Sequence, residues 1–200
     1  ESDPCTELLD DPGFEDSTLG DGEEKTGRWV FPITVYRAGF STDVKHSGDR
    51  SARVGIDKPA DDIYSYSSVR QTVSIPGDAN ELTIEFYLYR YNTDPKTFRA
   101  GLFGSGVDLL LPDSLLTAGT QYVILYDAST GERLVDLLAP ATTHDPQWKN
   151  FTFTFEPGHS TYNLDRLKGR KIRLLFGASN YSGEGITAMY IDDVSMSVCQ

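Results

Sequence analysis

The chain has 200 residues, with 18 Lys and Arg against 30 Asp and Glu, which gives a formal net charge of -12. This length suits one β-sandwich with a sizeable core and is short for two domains that each bury a core of their own. The negative charge opposes binding to nucleic acid or anionic lipid, and no apolar run approaches the roughly 18 to 20 residues that span a bilayer.

Two cysteines, Cys5 and Cys199, stand near the two ends of the chain. This placement predicts a disulfide that holds the termini side by side, with two unrelated thiols as the alternative. On the chain-entropy model, closing so long a loop constrains the unfolded chain by roughly 4 to 5 kcal/mol. The abrupt start at Glu1 is compatible with a secreted protein whose leader has been removed, although that start shows little by itself.

Apolar and polar residues alternate with a period of two along most of the chain, which favours strands over helices. The predicted strands cover residues 51–54, 68–75, 82–91, 122–127, 148–155, 171–178 and 187–198. Turns rich in Gly, Pro, Asn and Asp separate these strands. The pattern predicts an all-β fold, an antiparallel jelly-roll β-sandwich that forms a single domain over residues 1–200.

Two stretches lack a strand pattern. Residues 16–27 are acidic and rich in Gly, and they predict a surface loop, whereas residues 99–120 form a long irregular insertion. An insertion of this length on a compact sandwich is often a functional loop.

The predicted strand 82–91 has two different faces. One face carries apolar residues for the core, and the other carries Glu85, Tyr87, Tyr89 and Tyr91. Tyrosines beside a carboxylate can stack on sugar rings and form hydrogen bonds with their hydroxyls. We therefore predict a carbohydrate-binding surface on this face.

Other tyrosines offer additions and alternatives to that surface. Tyr122 and Tyr126 alternate with apolar residues on a later strand and could extend it, while Tyr64 and Tyr66 form a second, looser aromatic candidate in an acidic loop. The structural alternative is that tyrosine is simply a favoured strand residue and that the long insertion covers this sheet.

The last predicted strand, 187–198, places an acidic residue among apolar ones. Asp192 shares a predicted face with the apolar Tyr190 and Val194, which predicts that its carboxylate points inward, whereas Asp193 belongs to the opposite face. A buried carboxylate needs a cation, backbone N–H donors or a proton. A calcium ion suits this need because it accepts oxygen ligands from separate segments, and a salt bridge to Arg or Lys is an equal alternative.

Several short motifs follow one another along almost the entire chain. They are Gly13-Phe14-Glu15, Trp29, residues 46–51, residues 69–76, Trp148, residues 169–174 and residues 189–194. In this order they resemble the galactose-binding-like jelly rolls, a group that includes several carbohydrate-binding module families of glycanases and the MAM domains of cell-surface proteins. The resemblance implies the fold far more specifically than it implies a ligand.

The resemblance also implies a structural calcium ion at the edge of the sandwich. In that family the Gly-Phe-Glu segment, the Ser-Gly turn and the Asp of the last strand commonly enclose the ion. Glu15 and Asp192 would supply side-chain oxygens, with Asp193 as the alternate side-chain ligand. The carbonyl oxygens would come from Gly13 and from the segment that contains Lys45, Ser47 and Asp49.

These observations predict a non-catalytic extracellular or cell-surface module that binds carbohydrate and carries a structural calcium. The alternative is a structural or adhesive domain of the MAM type, which contacts another protein and has no sugar site. Catalysis is disfavoured: Glu85 and a second carboxylate could form a glycosidase pair, but so acidic a sequence offers such pairs by chance.

Overall fold

In a computed structural model of the chain, residues 5–16, 28–93, 119–183 and 185–200 are described. The acidic loop 16–27 lies outside these ranges except for Asp16, and the insertion 99–120 lies outside them except for its last two residues. Within the described ranges, no helix is long and apolar enough to cross a membrane.

The described part of the chain contains ten strands and two short 3-10 turns, Pro59–Asp61 and Leu164–Arg166. The strands are β1 (Thr6–Glu7), β2 (Gly39–Ser41), β3 (Ser51–Gly55), β4 (Ser65–Ser74), β5 (Glu81–Asn92), β6 (Thr120–Asp127), β7 (Arg133–Ala141), β8 (Asp145–Phe155), β9 (Lys171–Asn180) and β10 (Thr187–Cys199).

The strands form two antiparallel sheets. Sheet A has the order β2-β3-β10-β5-β8, with β1 also paired to β10, and sheet B has the order β4-β9-β6-β7. The predicted all-β, antiparallel jelly-roll sandwich is confirmed, and all seven predicted strands are present. The sequence pattern does not predict β1, β2 or β7, which are short or interrupted by irregular pairing.

The core lies between the sheets and follows from the alternation along their central strands. On β5, Leu82, Ile84, Phe86 and Leu88 are buried. Phe86 meets Phe176 of sheet B edge to face, with ring centroids 5.1 Å apart. Such aromatic contacts between the layers fix how the two sheets sit on each other.

The N-terminal segment closes one edge of this core. Phe14 is completely buried and lies 4.6 Å from the Trp29 ring, measured between centroids. Trp29 donates from its indole N–H to the Asp11 carbonyl at 2.9 Å, and the Pro12 carbonyl accepts from the N–H of Val194 at 2.9 Å. The Gly-Phe-Glu motif is therefore held by both the core and the last strand.

The two ends of the chain meet in sheet A. Thr6 pairs with Val198, and Cys5 forms a disulfide with Cys199 across a Cα–Cα distance of 4.2 Å. The predicted disulfide and the predicted adjacency of the termini are confirmed.

Candidate functional site

The last strand contains a β-bulge that changes which side chains face the core. Asp192 pairs directly with Tyr87, and the register shifts between Asp192 and Ser195. Directly opposed residues share a face, so Asp192 lies on the outer face of sheet A and not on the core face that alternation predicts. Its predicted burial is confirmed, because Asp192 is 0% exposed. Asp193, inside the bulge, has a φ of 47°.

Backbone N–H groups satisfy the buried Asp192 carboxylate. Its Oδ2 accepts from the N–H groups of His46 at 2.8 Å and Ser47 at 3.2 Å, and its Oδ1 accepts from the N–H of Asp193 at 2.8 Å. Burial raises the pKa of this carboxyl, while the three hydrogen bonds oppose that rise. N–H donors are one of the partners that the sequence analysis allows for this residue.

The Asp193 carboxylate binds the same turn from the outside. Its Oδ2 lies 2.6 Å from Nδ1 of His46, and its Oδ1 accepts from the Ser47 hydroxyl at 2.7 Å. The His46 ring also stacks on the Tyr87 ring, with centroids 3.9 Å apart. His46 thus connects the bulge to the tyrosine face of β5.

Glu15 completes a group of three carboxylates around this turn. Its Oε1 accepts from the N–H groups of Asp49 at 2.9 Å and Arg50 at 3.2 Å, and Arg50 donates from its guanidinium to the Glu15 carbonyl. Gly48 has a φ of 58°, and a side chain there would overlap the Glu15 carboxylate. Glycine is therefore required for the turn to close over Glu15.

Gly13 lies in the middle of these carboxylates. A Cβ on Gly13 would lie 3.6 Å from Cγ of Glu15, 3.9 Å from Oδ1 of Asp193 and 4.0 Å from Oδ1 of Asp192. The structure therefore brings together the side chains that the resemblance implies as calcium ligands. We call Glu15, Asp192 and Asp193 the acidic cluster.

The donor atoms of the acidic cluster fit calcium in chemical kind. They are carboxylate oxygens, the kind of ligand that a hard divalent cation accepts. In the described ranges, no three side chains of His, Cys, Asp or Glu are arranged to hold a metal by themselves. A calcium ion here would therefore also need main-chain carbonyls such as that of Gly13. The Lys45 ammonium donates to one carbonyl of the turn, that of Asp49, at 3.2 Å.

The predicted tyrosine stripe lies on the outer face of sheet A. Its members are all half-buried: Glu85, Tyr87, Tyr89 and Tyr91. Tyr89 lies 5.9 Å from the Trp148 ring and 5.7 Å from the Tyr190 ring, edge to face in both cases. Tyr91 lies 5.5 Å from the His144 ring. Tyr89 and Tyr91 therefore pack against other aromatic rings.

Polar groups on the outer face of sheet A also have protein partners. The Glu85 carboxylate accepts from the Asn150 side chain at 2.5 Å, and the Tyr190 hydroxyl donates to Asp57 at 3.2 Å. The stripe is thus a connected polar and aromatic layer on sheet A.

Tyr122 and Tyr126 do not extend the stripe, which corrects that part of the sequence prediction. Both lie on β6, and Tyr122 pairs with Gly177 while Tyr126 pairs with Arg173. Gly177 and Arg173 alternate with core residues such as Phe176, so the two tyrosines lie on the outer face of sheet B. The whole sandwich separates them from β5, a relationship that alternation within one strand does not reveal.

Tyr122 lies over Gly177 on that outer face. A Cβ at Gly177 would overlap Cε2 and Cζ of the Tyr122 ring and would lie 2.7 Å from its hydroxyl oxygen. Tyr122 is half-buried, so its ring packs against the main chain and keeps part of its surface in contact with solvent. Burial raises the pKa of Tyr122 to about 12, with the nearby Tyr126 and Tyr66 adding to the rise and Arg133 opposing it.

Tyr66 joins this face to an open pocket at one end of the sandwich. Tyr66 on β4 and Thr120 on β6 both pair with Ser179, which places Tyr66 one row from Tyr122. The pocket has a volume of about 310 Å³ and is lined by Ile33, Thr34, Val35, Tyr64, Ser65 and Tyr66. Tyr64 and Tyr66 are 66% and 61% exposed, so these two rings are the most accessible of the predicted aromatic candidates.

Sequence reasoning found Tyr66 and Tyr122 but did not bring them together. The sequence signal that was available is the glycine in strand 171–178, since a glycine inside a strand often marks a close approach of another group. The glycine alone does not identify Tyr122 as that group, because the pairing of β6 with β9 joins segments far apart in sequence.

No protein-family model matches the sequence, and no curated protein matches it significantly. Several solved structures match the fold. The carbohydrate-binding module TmCBM61, solved in complex with β-1,4-galactotriose, aligns with a TM-score of 0.52 and 13% identity over 96% of this chain and 97% of that chain. A family 16 carbohydrate-binding module aligns with a TM-score of 0.50 and 11% identity over 94% and 98% of the two chains.

An enzyme shares the same architecture. A cyclase from Fischerella sp. TAU, in complex with 4-(1H-indol-3-yl)butan-2-one, aligns with a TM-score of 0.51 and 15% identity over 96% of this chain and 97% of that chain. At these identities the likeness concerns the fold alone: the chain has an antiparallel jelly-roll β-sandwich fold similar to that of these proteins. The function has to be argued from the side chains.

Proposed function

We propose that this jelly-roll domain is a non-catalytic extracellular module that binds carbohydrate on the outer face of sheet B. The observation that carries the proposal is the position of the half-buried Tyr122 ring over Gly177, on the same outer face as the 61% exposed Tyr66. Sugar rings stack on aromatic platforms of this kind. Tyr66 and Tyr126 supply further rings on the same face.

The outer face of sheet A is the weaker of the two aromatic surfaces. Tyr87 already stacks on His46, and Tyr89 already contacts Trp148 and Tyr190. By contrast, Tyr66 is 61% exposed beside an open pocket. A ligand needs accessible ring surface, and this difference favours sheet B.

The disulfide supports the proposed extracellular location, because bridges such as Cys5–Cys199 persist in oxidising compartments and are rare in the cytosol. The structural calcium is part of the same proposal. Glu15 and Asp192 would hold the ion with side-chain oxygens, Asp193 is the alternate ligand, and the Gly13 carbonyl would contribute a main-chain oxygen. The ion would offset the negative charge of the acidic cluster and join the N-terminal segment to the last strand.

Binding to a glycan array, followed by calorimetric titration with the best ligand, tests the proposed function. We expect Tyr122→Ala to weaken binding by about tenfold. Stacking on an aromatic side chain contributes on the order of 1 kcal/mol, and about 1.4 kcal/mol corresponds to a tenfold change in affinity. The matched control is Tyr89→Ala, which removes a tyrosine from sheet A. If Tyr89→Ala abolishes binding and Tyr122→Ala does not, the site is the stripe on sheet A. If no glycan binds at millimolar concentration, carbohydrate binding is wrong.

A second candidate function, protein adhesion, has one observation in its favour. Ile33, Val35 and Tyr64 are 71%, 81% and 66% exposed beside the pocket, and contiguous exposed apolar groups often mark protein contacts. An adhesive domain would bind a cell-surface protein through this patch without any glycan, and Val35→Ser would weaken that binding. Glycan binding that is unchanged in Val35→Ser would favour the module over the adhesive domain.

A further inference from the structure

We propose that the glycan bound on sheet B is anionic, bearing carboxylate or sulfate groups, an inference that rests on the proposed function above. One row of side chains crosses all four strands of the sheet. In this row Thr72 pairs with Arg173, Arg173 pairs with Tyr126, and Tyr126 pairs with Arg133. Residues paired in this way share a face, so Tyr126 lies between two arginines on the outer face.

The neighbouring rows add two more cations. Arg70 pairs with Leu175 one row away, and Lys171 pairs with Ser74 at the far end of the face. The charged side chains described on the outer face of sheet B are thus four cations, Arg70, Arg133, Lys171 and Arg173, and one carboxylate, that of Asp136. The chain as a whole carries -12. The described outer face of sheet B therefore carries more cations than carboxylates, although the chain as a whole is acidic.

The carboxylate on this face fixes the geometry of one arginine. Arg133 donates to Asp136 with both Nε, at 2.5 Å, and Nη2, at 2.6 Å. Arg133 is 43% exposed, so its guanidinium is held in place and still accessible from outside. A planar guanidinium offers several N–H donors in a fixed fork, which matches the oxygens of a carboxylate or a sulfate.

Aromatic rings next to guanidinium groups suit an acidic sugar in particular. The ring of such a sugar can stack on Tyr126 or Tyr122, while its charged group reaches a neighbouring arginine within the spacing of adjacent strands, about 5 Å. The net charge of the chain opposes polyanions in general, so attraction has to come from this local field. The expected ligand is therefore a glycan whose charges are spaced along a chain of stackable rings, and not any polyanion.

Titration of the full chain with three soluble polysaccharides tests the inference. Polygalacturonate carries carboxylates, dextran sulfate carries sulfates and galactan is neutral. We expect polygalacturonate or dextran sulfate to bind at least about tenfold more tightly than galactan at low salt, and this preference to shrink as NaCl is raised from about 0.05 to 0.5 M. The polymer that binds identifies which anionic group is recognised.

Two charge-removing variants separate a built site from general attraction. Arg173→Gln should weaken binding of the anionic polymer by about tenfold, because a charge-assisted hydrogen bond to the ligand is lost. Arg166→Gln removes the same charge from an exposed turn away from sheet B and should change binding by less than about twofold.

The outcomes of this experiment distinguish the inference from the proposed function. Equal, salt-insensitive binding of galactan and polygalacturonate would overturn the anionic ligand and leave the carbohydrate-binding module intact. Equal losses in Arg173→Gln and Arg166→Gln would also overturn it, since the attraction would then be unspecific. If none of the glycans binds, here or on the array, the proposed function fails as well.

Discussion

The Tyr122 ring occupies the space in which a side chain at Gly177 would have to lie. The ring is the far end of a side chain on an outer face, so it can tilt away from an added methyl group at little cost to the fold. Gly177→Ala should therefore weaken glycan binding by about tenfold and lower the free energy of unfolding by no more than about 1 kcal/mol. Calorimetric titration and urea denaturation measure the two effects.

Gly77→Ala is the matched control for that variant, because a Cβ at Gly77 would meet nothing within 4 Å. It should leave both binding and stability unchanged. Wild-type affinity in Gly177→Ala would show that the ring position over the strand is not what binds the sugar.

Tyr122 should also make the protein less stable in alkali. Folded Tyr122 keeps its proton up to a pKa of about 12, whereas the unfolded chain loses that proton near the ordinary value of 10.0. Between these two values the folded state binds more protons than the unfolded state, so stability falls as the pH rises. Tyr122→Phe has no such proton, and its melting temperature should decline less between pH 10 and 12.

Thermal denaturation at half-unit steps of pH measures this difference. Tyr64→Phe, which removes a hydroxyl from an exposed tyrosine, should follow the wild type. Parallel curves for the wild type and Tyr122→Phe would contradict the expected contribution of Tyr122. Because the Phe variant keeps its ring, it should also retain most of the stacking on sugar.

Calcium should stabilise the protein through the acidic cluster. If calcium binds the folded state alone, a concentration of about 100 Kd adds about 2.7 kcal/mol to the free energy of unfolding, which raises the melting temperature by about 5 to 10 °C. Scanning calorimetry of chelator-treated protein, before and after calcium is added, measures the shift. Asp192→Asn and Glu15→Gln should each reduce it.

Asp78→Asn, which changes an exposed turn residue bonded to the Gln200 side chain, should keep the full calcium response. A chelator-treated wild-type protein that neither binds calcium nor changes its melting temperature would rule out the ion. In that case the N–H groups of His46, Ser47 and Asp193 alone would stabilise the buried Asp192 carboxylate.

The Cys5–Cys199 bridge should contribute strongly to stability. It closes a sequence separation of 194 residues, and on the chain-entropy model a loop of that size gives about 5 kcal/mol. The double variant Cys5→Ser with Cys199→Ser should lose most of this amount in urea denaturation. Reductant should destabilise the wild type and leave the double variant unaffected; a wild type that is insensitive to reductant under denaturing conditions would contradict the prediction.

Local alternation predicted the parts of the fold in which each strand is regular. Leu82, Ile84, Phe86 and Leu88 are buried as the pattern requires, and the strand that contains them is almost the predicted one. Cysteine placement likewise predicted the disulfide. In these cases the residues that carry the sequence signal are the residues that pack or pair, so the order of the strands does not have to be known.

The errors arise where the pattern is interrupted or where segments distant in sequence meet. The bulge after Asp192 inserts an extra residue into the strand. The alternation that holds after the bulge therefore assigns residues before the bulge to the wrong face. Strand β7 pairs with β6 through repeated register shifts, which removes a regular period from its sequence. The placement of Tyr122 and Tyr126 beside the stripe was wrong for a third reason. A period-two pattern indicates which residues of a strand share a face, but it does not indicate to which of the two sheets the strand belongs.

The pairing of Thr6 with Val198 places both ends of the described chain on sheet A, while Tyr122 lies on the outside of sheet B. The ends also lie where β10 finishes, whereas the pocket with Tyr64 and Tyr66 lies where β10 begins. A tether attached at either end would therefore leave the aromatic face pointing away from whatever holds it. The protein could be fixed to a sensor surface, or joined to a neighbour in a longer polypeptide, through one end or both without shielding that face.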